Sequence, residues 1–474
     1  MALSPPLGLK WRSSYAFTTF VVGIGVATDL VVYSIVVPVV PFQLERLGYH
    51  SVSALAGWLL FAYSAGLVIC SYSTPSGHFY AEQNEGTIPI AMFSERYQTR
   101  RAPLILGLLI LVGSQIMFME APNYAVMCIA RVLQGCGSTM VWVVGLALLC
   151  DCTPEQFIGR QLGLAMVGMS VGFLAGPPIG GAVYSRWGWR GPFIFGIIMA
   201  MFDLVGRLFI IERKDALKYG FDPAAVTHTA EEEKAPETLE TPTVTNNISL
   251  ISVIVRLCKS SRALVTLALT GLFGLIYSAQ EPTLPLHLQS VWGLDSAKVG
   301  QIYIASIVPT LFSAPLSGFA TDKLGVEWLS CICFALSVPW WAVLIVRQSL
   351  VLFIVALALG SFFVSGVISP LMVELATVAR QIDDGHVYGS FNLVYGIGLS
   401  LFPPPLFTLI VGLVTQGTTL GPVIGGQMYA HLKDGWTAIM ILTAVVLALC
   451  CGLGFMYIGD KPLGKRLLMR QNRD

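Results

Sequence analysis

The sequence predicts an all-α integral membrane protein with twelve helical spans arranged as two six-helix halves. Three observations predict this. Apolar runs long enough to cross a bilayer recur along nearly the whole chain. Lys and Arg concentrate in alternate connections between those runs. A glycine-rich motif in the fifth run returns in the eleventh.

A helix needs ~20 mostly apolar residues to cross the ~30 Å hydrocarbon core. Runs of this kind fall at about 17–41, 54–73, 102–119, 123–149, 158–184, 192–211, 263–288, 299–319, 327–346, 350–375, 388–430 and 435–458. Of the 474 residues, 55% are hydrophobic and only 12% charged, with a mean hydropathy of +0.72. A soluble exterior requires more charge than that, because it faces water. The net charge of +1 offers nothing to a nucleic-acid backbone. The ten cysteines have no paired framework, and Cys70, Cys128, Cys136, Cys150, Cys450 and Cys451 read as small hydrophobes in apolar runs. The first run is too long for a cleavable signal core and counts as the first span.

The sixth and seventh runs are separated by a polar stretch, about 212–262, containing AEEEKAPETLETPTVTNN. Its acidic, Pro/Thr-rich composition predicts a disordered cytoplasmic linker. The expected units are therefore 1–211, the linker 212–262, a second half 263–460, and a tail 461–474. With both termini in the cytoplasm, Lys10, Arg12, Arg96, Arg100, Arg101, Arg160, Lys323, Arg380 and the basic residues of linker and tail share one side. Only Arg46, Arg186, Arg190, Lys298, Arg347 and Lys433 lie on the other. That asymmetry sets the orientation.

Span five ends GPPIGGAVYSRWGW from Gly176, and span eleven ends GPVIGGQMYAHLKDGW from Gly421. Two related halves around a central cavity are a known plan for secondary transporters. The repeat also exposes surplus chain. Gly159 lies 17 residues before Gly176, whereas Gly389 lies 32 before Gly421. LFPPPLFTLIVGLVTQ (401–416) is the excess, and a like comparison marks TPSGHFYAEQNEGTIP (74–89) in the first half. Both read as insertions, either natural loops or retained introns.

Four features bear on chemistry. In the second connection Glu95, Arg96, Arg100 and Arg101 sit at helix ends. Their counterparts in the eighth are Asp322 and Lys323. Acid next to base at a short turn suits gating between two packings, against a simpler role in membrane anchoring. Arg131 and Gln134 lie within apolar span four, where a cation faces a cavity, a partner or a structural hydrogen-bond network. Gly168, Gly172, Gly176 and Gly180, with Gly181, form a small-residue face for close helix packing. Pro177–Pro178 is expected to break the helical ladder there. Gly421 and Pro422 repeat the motif. Finally, Asp29 in span one and Glu281 in span seven are acids within the membrane, and such acids mark function by default. A desolvated carboxylate can alternate between protonated and charged forms, binding a cation in one and releasing it in the other. The alternative is that either acid is the structural partner of Arg131.

Weaker signals surround these. Asp203 and Arg207 are expected to pair locally near the cytoplasmic end of span six. Trp142, Trp340, Trp341, Tyr277 and Tyr395 are either cavity-lining or packing residues. Glu374 reads as interfacial. The histidines fall mostly in loops without metal spacing, and no phosphate loop supports ATP-driven transport. No cofactor or metal is expected, and no enzymatic activity.

These residues resemble the major facilitator superfamily, specifically its drug:H⁺ antiporter branch, which includes vesicular amine transporters and fungal multidrug exporters. The carriers of the resemblance are Asp29 with VVPVVP, ARVLQG, GFLAGPPIGG, EPTLP and VYGS. It implies proton-coupled export of a small organic compound, a cation among the candidates, with Asp29 and Glu281 serving substrate recognition and proton coupling. Partners would be the small-molecule substrate, protons and the lipid bilayer, and a monomer in the plasma or a vacuolar or vesicular membrane is expected. The chain departs from the pattern at Ala91 and Glu95, where Gly and Asp usually stand. Span ten offers Ser369 and Pro370 where amine transporters carry an acid. Facilitated uptake of a neutral or anionic solute, or a non-transporting receptor or inactive spliced product, are the competing readings.

Overall fold

A computed structural model describes residues 6–73, 101–154, 157–224, 260–382, 420–459 and 462–464. All regular elements among the described residues are helices. The first set is α1 (Tyr15–Ser34), α2 (Val40–Arg46), α3 (Val52–Ser73), α4 (Arg101–Met119), α5 (Tyr124–Cys152), α6 (Ile158–Trp187) and α7 (Arg190–Phe209). The second is α8 (Ser261–Ala279), α9 (Leu284–Trp292), α10 (Ser296–Leu324), α11 (Val326–Val343), α12 (Leu350–Ser365), α13 (Ile368–Ile382), α14 (420–431) and α15 (Gly435–Tyr457). Ten helical segments among the described residues are long and apolar enough to cross a membrane, and α3 adds a shorter apolar stretch. Of the long eleventh run only 420–431 is described. The surplus segments 74–89 and 401–416 lie outside the described residues.

The exterior is apolar and the interior holds the charge. Phe20, Leu109, Ile129, Phe202, Phe312, Val351 and Leu449 are exposed, while Asp29, Arg131, Gln134, Asp203 and Arg207 are buried. This inversion fits a lipid surround, where outward side chains meet hydrocarbon.

Proline interrupts the first helix of each set at matching places. Pro38 lacks an N–H, and its ring presses on the carbonyl of Ser34, the last residue of α1. Pro282 acts likewise after α8, which ends at Ala279. The chain resumes as α2 and α9, each with a proline in its first turn, where the lost donor costs nothing. By contrast, α6 runs unbroken through Pro177 and Pro178, so the expected break does not occur.

The glycine motif places α6 between two neighbours. A methyl group on Gly180 would overlap the carbonyl oxygen of Ile35, and one on Gly176 the hydroxyl of Ser34, so α6 lies directly on α1. A methyl on Gly172 would stand 2.7 Å from the carbonyl oxygen of Ala27. Gly181 faces the other way and meets the backbone of Ser296 in α10. The repeat copies this. Gly425 meets Ala279 and Gly421 meets Ser278, both in α8, while Gly426 meets Ser53 in α3. The backbone of Pro177 lies against Gly300, and that of Pro422 against Gly57. Ser296 Oγ donates to Gly181 O (3.3 Å) and Ser53 Oγ donates to Gly426 O (2.9 Å). Both cross-contacts between the sets fall at one end of the bundle, the end where α3 and α10 begin. Gln289 Nε2 donates to Glu45 Oε2 (2.9 Å) at that end as well.

The polar stretch expected to be disordered from 212 is ordered at its start. Ala216 is fully buried in a short helix, Arg213–Leu217, and Ile211 N donates to Arg12 O (3.1 Å). Arg213 grips Asp222 with two hydrogen bonds of 2.8 and 2.9 Å and holds its carboxyl below the usual carboxylate range. Residues 225–259 lie outside the described residues.

The packing makes a symmetric demand. Gly180→Ala and Gly425→Ala should each lower stability by about 1–3 kcal/mol through overpacking. Gly113→Ala, at an exposed position with nothing within 4 Å, should be neutral or slightly stabilising. Apparent Tm values in detergent check all three.

Candidate functional site

Between the two sets lies a line of polar side chains ending in the two carboxylates. Asp29 is 1% exposed. Its Oδ2 accepts from Ser138 Oγ at 2.6 Å and from Trp142 Nε1 at 2.8 Å, while Oδ1 has no partner. Ser138 and the hydroxyl of Tyr63 share a hydrogen bond of 3.0 Å. The Tyr63 ring stands 4.7 Å from that of Tyr33. Tyr33 OH donates to Glu281 Oε2 at 3.0 Å, across from the first set to the second. Tyr303 OH donates to the backbone oxygen of Glu281 at 3.2 Å. A chain of short contacts thus joins Asp29 to Glu281 through Ser138, Tyr63 and Tyr33.

Local sequence explains this placement. Asp29 and Tyr33 are four apart on α1 and share a face. On α5, Arg131, Gln134, Ser138 and Trp142 recur at helical spacing and form one inward stripe. Glycine contacts set the register. Ser34 on Gly176 and Ser278 on Gly421 are equivalent, so Glu281 corresponds to Val37 rather than to Asp29. The two acids occupy equivalent helices about two turns apart, and Tyr33, with Tyr277 as its counterpart, bridges the difference.

Arg131 is 0% exposed and lies over the rings of Phe118, Tyr33 and Tyr63 at 5.1, 5.9 and 6.0 Å. Its Nη1 donates to Gln134 Oε1 at 2.9 Å, and its Nε and Nη2 have no partner. Among the described residues no salt bridge joins it to either carboxylate. It is therefore not a fixed structural counter-ion of Asp29 or Glu281, but a buried cation held by aromatic faces. The arrangement of two carboxylates, one guanidinium and amphipathic aromatics in a low-dielectric core suits binding and release of a small polar organic molecule, with protons as competitors.

The family profile described as Major Facilitator Superfamily matches residues 86–403 and, in a second match, 266–468. The chain belongs to the major facilitator superfamily. It is a transmembrane transporter and an integral membrane protein rather than an enzyme. It is 25% identical over 514 residues to the MFS-type transporter ppzB of Metarhizium rileyi, covering 98% of this chain and 99% of that one. It is 24% identical over 354 residues to the chromaffin granule amine transporter of Rattus norvegicus, covering 74% of this chain and 60% of that protein. Among solved structures, the D-xylose-proton symporter superposes with a TM-score of 0.61 at 13% identity, covering 94% of this chain and 99% of that one. The human organic anion transporter MFSD10 (TETRAN) gives 0.55 at 16% identity, covering 95% and 100%. These two likenesses show the major facilitator fold.

The remaining sequence candidates divide. Glu95, Arg96, Arg100 and Tyr395 lie outside the described residues. Arg101 is exposed; its Nη2 donates to Leu208 O (2.7 Å) and its backbone N to Glu212 Oε1 (2.6 Å). Asp322 and Lys323 are exposed, and Lys323 Nζ sits 4.4 Å from the Phe319 ring rather than on Asp322. Gly172, Gly176, Gly180, Gly181, Gly421, Pro177 and Pro422 pack helices, as expected of them. Trp341 is 1% exposed in the core of the second set, so it packs rather than lines the site.

One reading is corrected. Glu374 is not interfacial: it is 1% exposed, and it pairs with Arg262 and accepts from Gly459 N at 2.8 Å. It ties the start of α8 and the end of α15 to α13. His287 lies within the seventh apolar run and is not one of the loop histidines. It is buried in α9, its ring 4.1 Å from Trp436 and flanked by Trp292 and Phe353. Asp203 and Arg207 pair at i,i+4 near the end of α7, and both are buried.

Glu374→Gln removes the buried carboxylate that binds Arg262 and Gly459 N. It should cost about 2–4 kcal/mol, somewhat below the fully buried case because the Arg262 side chain keeps 17% exposure. The added change Arg262→Gln should recover part of the loss in the same melting assay.

Proposed function

We propose that this transporter exports a small organic cation in exchange for protons by alternating access. The observation that carries the reading is the line of contacts from Asp29 to Glu281, which joins a carboxylate of each half through Tyr33. A protonated pair of acids presents no charge to a cation, whereas an ionised pair attracts it, so substrate and proton compete for one site. Both termini would face the cytoplasm, and the plasma membrane or a vacuolar or vesicular membrane would be its location. The halves meet through Gly181–Ser296 and Gly426–Ser53 at the end opposite the start of α1. The similarity to the chromaffin granule amine transporter supports a cationic cargo, and the similarity to a proton symporter supports coupling to protons.

One observation favours a second reading. Arg131 keeps two buried nitrogens without partners, and such donors suit a carboxylate or carbonyl on the cargo. Facilitated passage of an anionic or neutral solute follows from that, and the likeness to an organic anion transporter is consistent with it.

Reconstituted vesicles with an imposed pH gradient separate the two. Accumulation of ethidium should require the gradient and should fall at least about tenfold, the equivalent of ~1.4 kcal/mol, in Asp29→Asn and in Glu281→Gln. Gradient-driven accumulation that survives both substitutions removes the coupling assignment. Accumulation of a fluorescent carboxylate instead, lost in Arg131→Gln, establishes the second reading.

A further inference from the structure

The buried pair Asp203–Arg207 in α7 is formed in an unusual way. Arg207 binds both carboxylate oxygens with a single nitrogen, Nε, at 2.9 and 3.0 Å. An isolated Arg–carboxylate pair normally spends two nitrogens in parallel, because the planar fork matches the two oxygens. Here Nη1 and Nη2 are left without any partner although the side chain is only 3% exposed. Unpaired guanidinium nitrogens in a dry core are costly, and a self-contained ion pair of this kind is less stable than apolar packing.

The free edge of the guanidinium has a direction. A side chain at Gly25 of α1 would overlap Nη2 and stand 3.0 Å from Asp203 Oδ2, and one at Gly145 of α5 would stand 3.7 Å from Nη1. Arg207 therefore fills the cleft that these two glycines leave open. Gly25 lies one helical turn from Asp29, and Gly145 lies one turn from Trp142, the residue that donates to Asp29. Asp29 itself keeps one oxygen, Oδ1, without a partner. Two unpartnered donors on Arg207 and one unpartnered acceptor on Asp29 are thus about one helical turn apart along α1.

We infer that Arg207 is a counter-ion shared between Asp203 and Asp29, so that the α7 pair is a positioning element of the proton site. The inference rests on the reading of Asp29 as a proton-binding carboxylate. With Asp29 protonated, Arg207 and Asp203 neutralise each other and the cleft carries no net charge. When the Asp29 proton leaves, the free Nη edge turns to its carboxylate, directly or through one water, while Nε keeps hold of Asp203. The cleft then carries one negative charge spread over two acids. Of the other charged groups on these elements, Arg131 stands further along α5 against Tyr33 and Tyr63, while Asp151 of α5 and Arg190 of α7 lie exposed at helix ends. On α4 the only ionisable residue is Arg101, at its start, and those of α6, Arg160, Tyr184 and Arg186, lie at its ends.

The test needs no substrate. Apparent Tm of the full chain in detergent is measured from pH 5 to 9, and each protein is compared with the same protein carrying Asp29→Asn. The difference isolates the titration of Asp29, because a group that ionises in the folded state leaves an inflection in stability. Arg207→Gln should move that inflection up by about one pH unit, and Asp203→Asn, which releases the whole guanidinium, should move it down. Arg207→Lys keeps the ion pair and the fold but has no free fork, so it should shift the inflection upward by less. Inflections at the wild-type position in Arg207→Lys and Asp203→Asn overturn the proposal and make the pair purely structural. A wild-type curve that superimposes on that of Asp29→Asn is a different outcome: it removes the proton-binding reading of Asp29 itself, and the shared counter-ion with it.

Discussion

The structure depends on backbone meeting backbone at glycine. In lipid there is no hydrophobic gain in bringing two apolar helices together, so association relies on close packing and on hydrogen bonds. Gly176 and Gly180 let α6 lie against α1, and Gly181 lets the same helix lie against α10 in the other half. The second copy does the same with α8 and α3. Each motif helix is therefore a common wall for both halves. The depth of α1 and α8 in the bundle, and hence the positions of Asp29, Tyr33 and Glu281, follows from how closely these walls approach.

Such a frame makes the polar interior affordable in structural terms. Side chains on α1, α5 and α7 face one another across a core without competing water, so each hydrogen bond is strong and each missing one is costly. Asp29 has two donors on a single oxygen, and Glu281 has a tyrosine. Arg131 has aromatic faces in place of an anion. A fully satisfied network would hold one arrangement rigidly. The unpartnered nitrogens of Arg131 and Arg207 and the unpartnered oxygen of Asp29 leave this network able to accept a proton, a solute or a second geometry.

Much of this was legible from the sequence, for identifiable reasons. Span positions and the two acids were readable because lipid imposes a strong composition rule and makes any exception conspicuous. The glycine walls were readable because the motif occurs twice. Matching EPTLP to VVPVVP places Pro282 on Pro38 and Glu281 where Val37 stands, so equivalent spans carry their acids at different depths. Ser138 was missed although it continues the Arg131–Gln134 stripe, because a serine in a span carries little compositional signal. Glu374 was misplaced because an ionisable residue near a run's end reads as interfacial, and only a tertiary partner such as Arg262 shows otherwise. The unbroken α6 shows the same override, since neighbouring backbones on both sides hold the helix through two prolines.

The symmetric frame and the asymmetric chemistry have different consequences. Two like walls mean that opening one end of the bundle and closing the other can reuse the same kind of contact, so neither state needs a specialised interface. The charges do not follow that symmetry. Asp29, Arg131, Asp203 and Arg207 all belong to the first half, while the second contributes Glu281 to the shared line. Movement of the halves therefore changes chiefly one electrostatic relation, the distance of Glu281 from the cluster around Asp29, with Tyr33 as the hinge between them. When Tyr33 and Glu281 separate, Glu281 loses a donor and the first-half cluster keeps its own. Under the proposed exchange, the protonation of the two acids is in this way tied to the position of the halves, which is the physical requirement for coupling one flow to another.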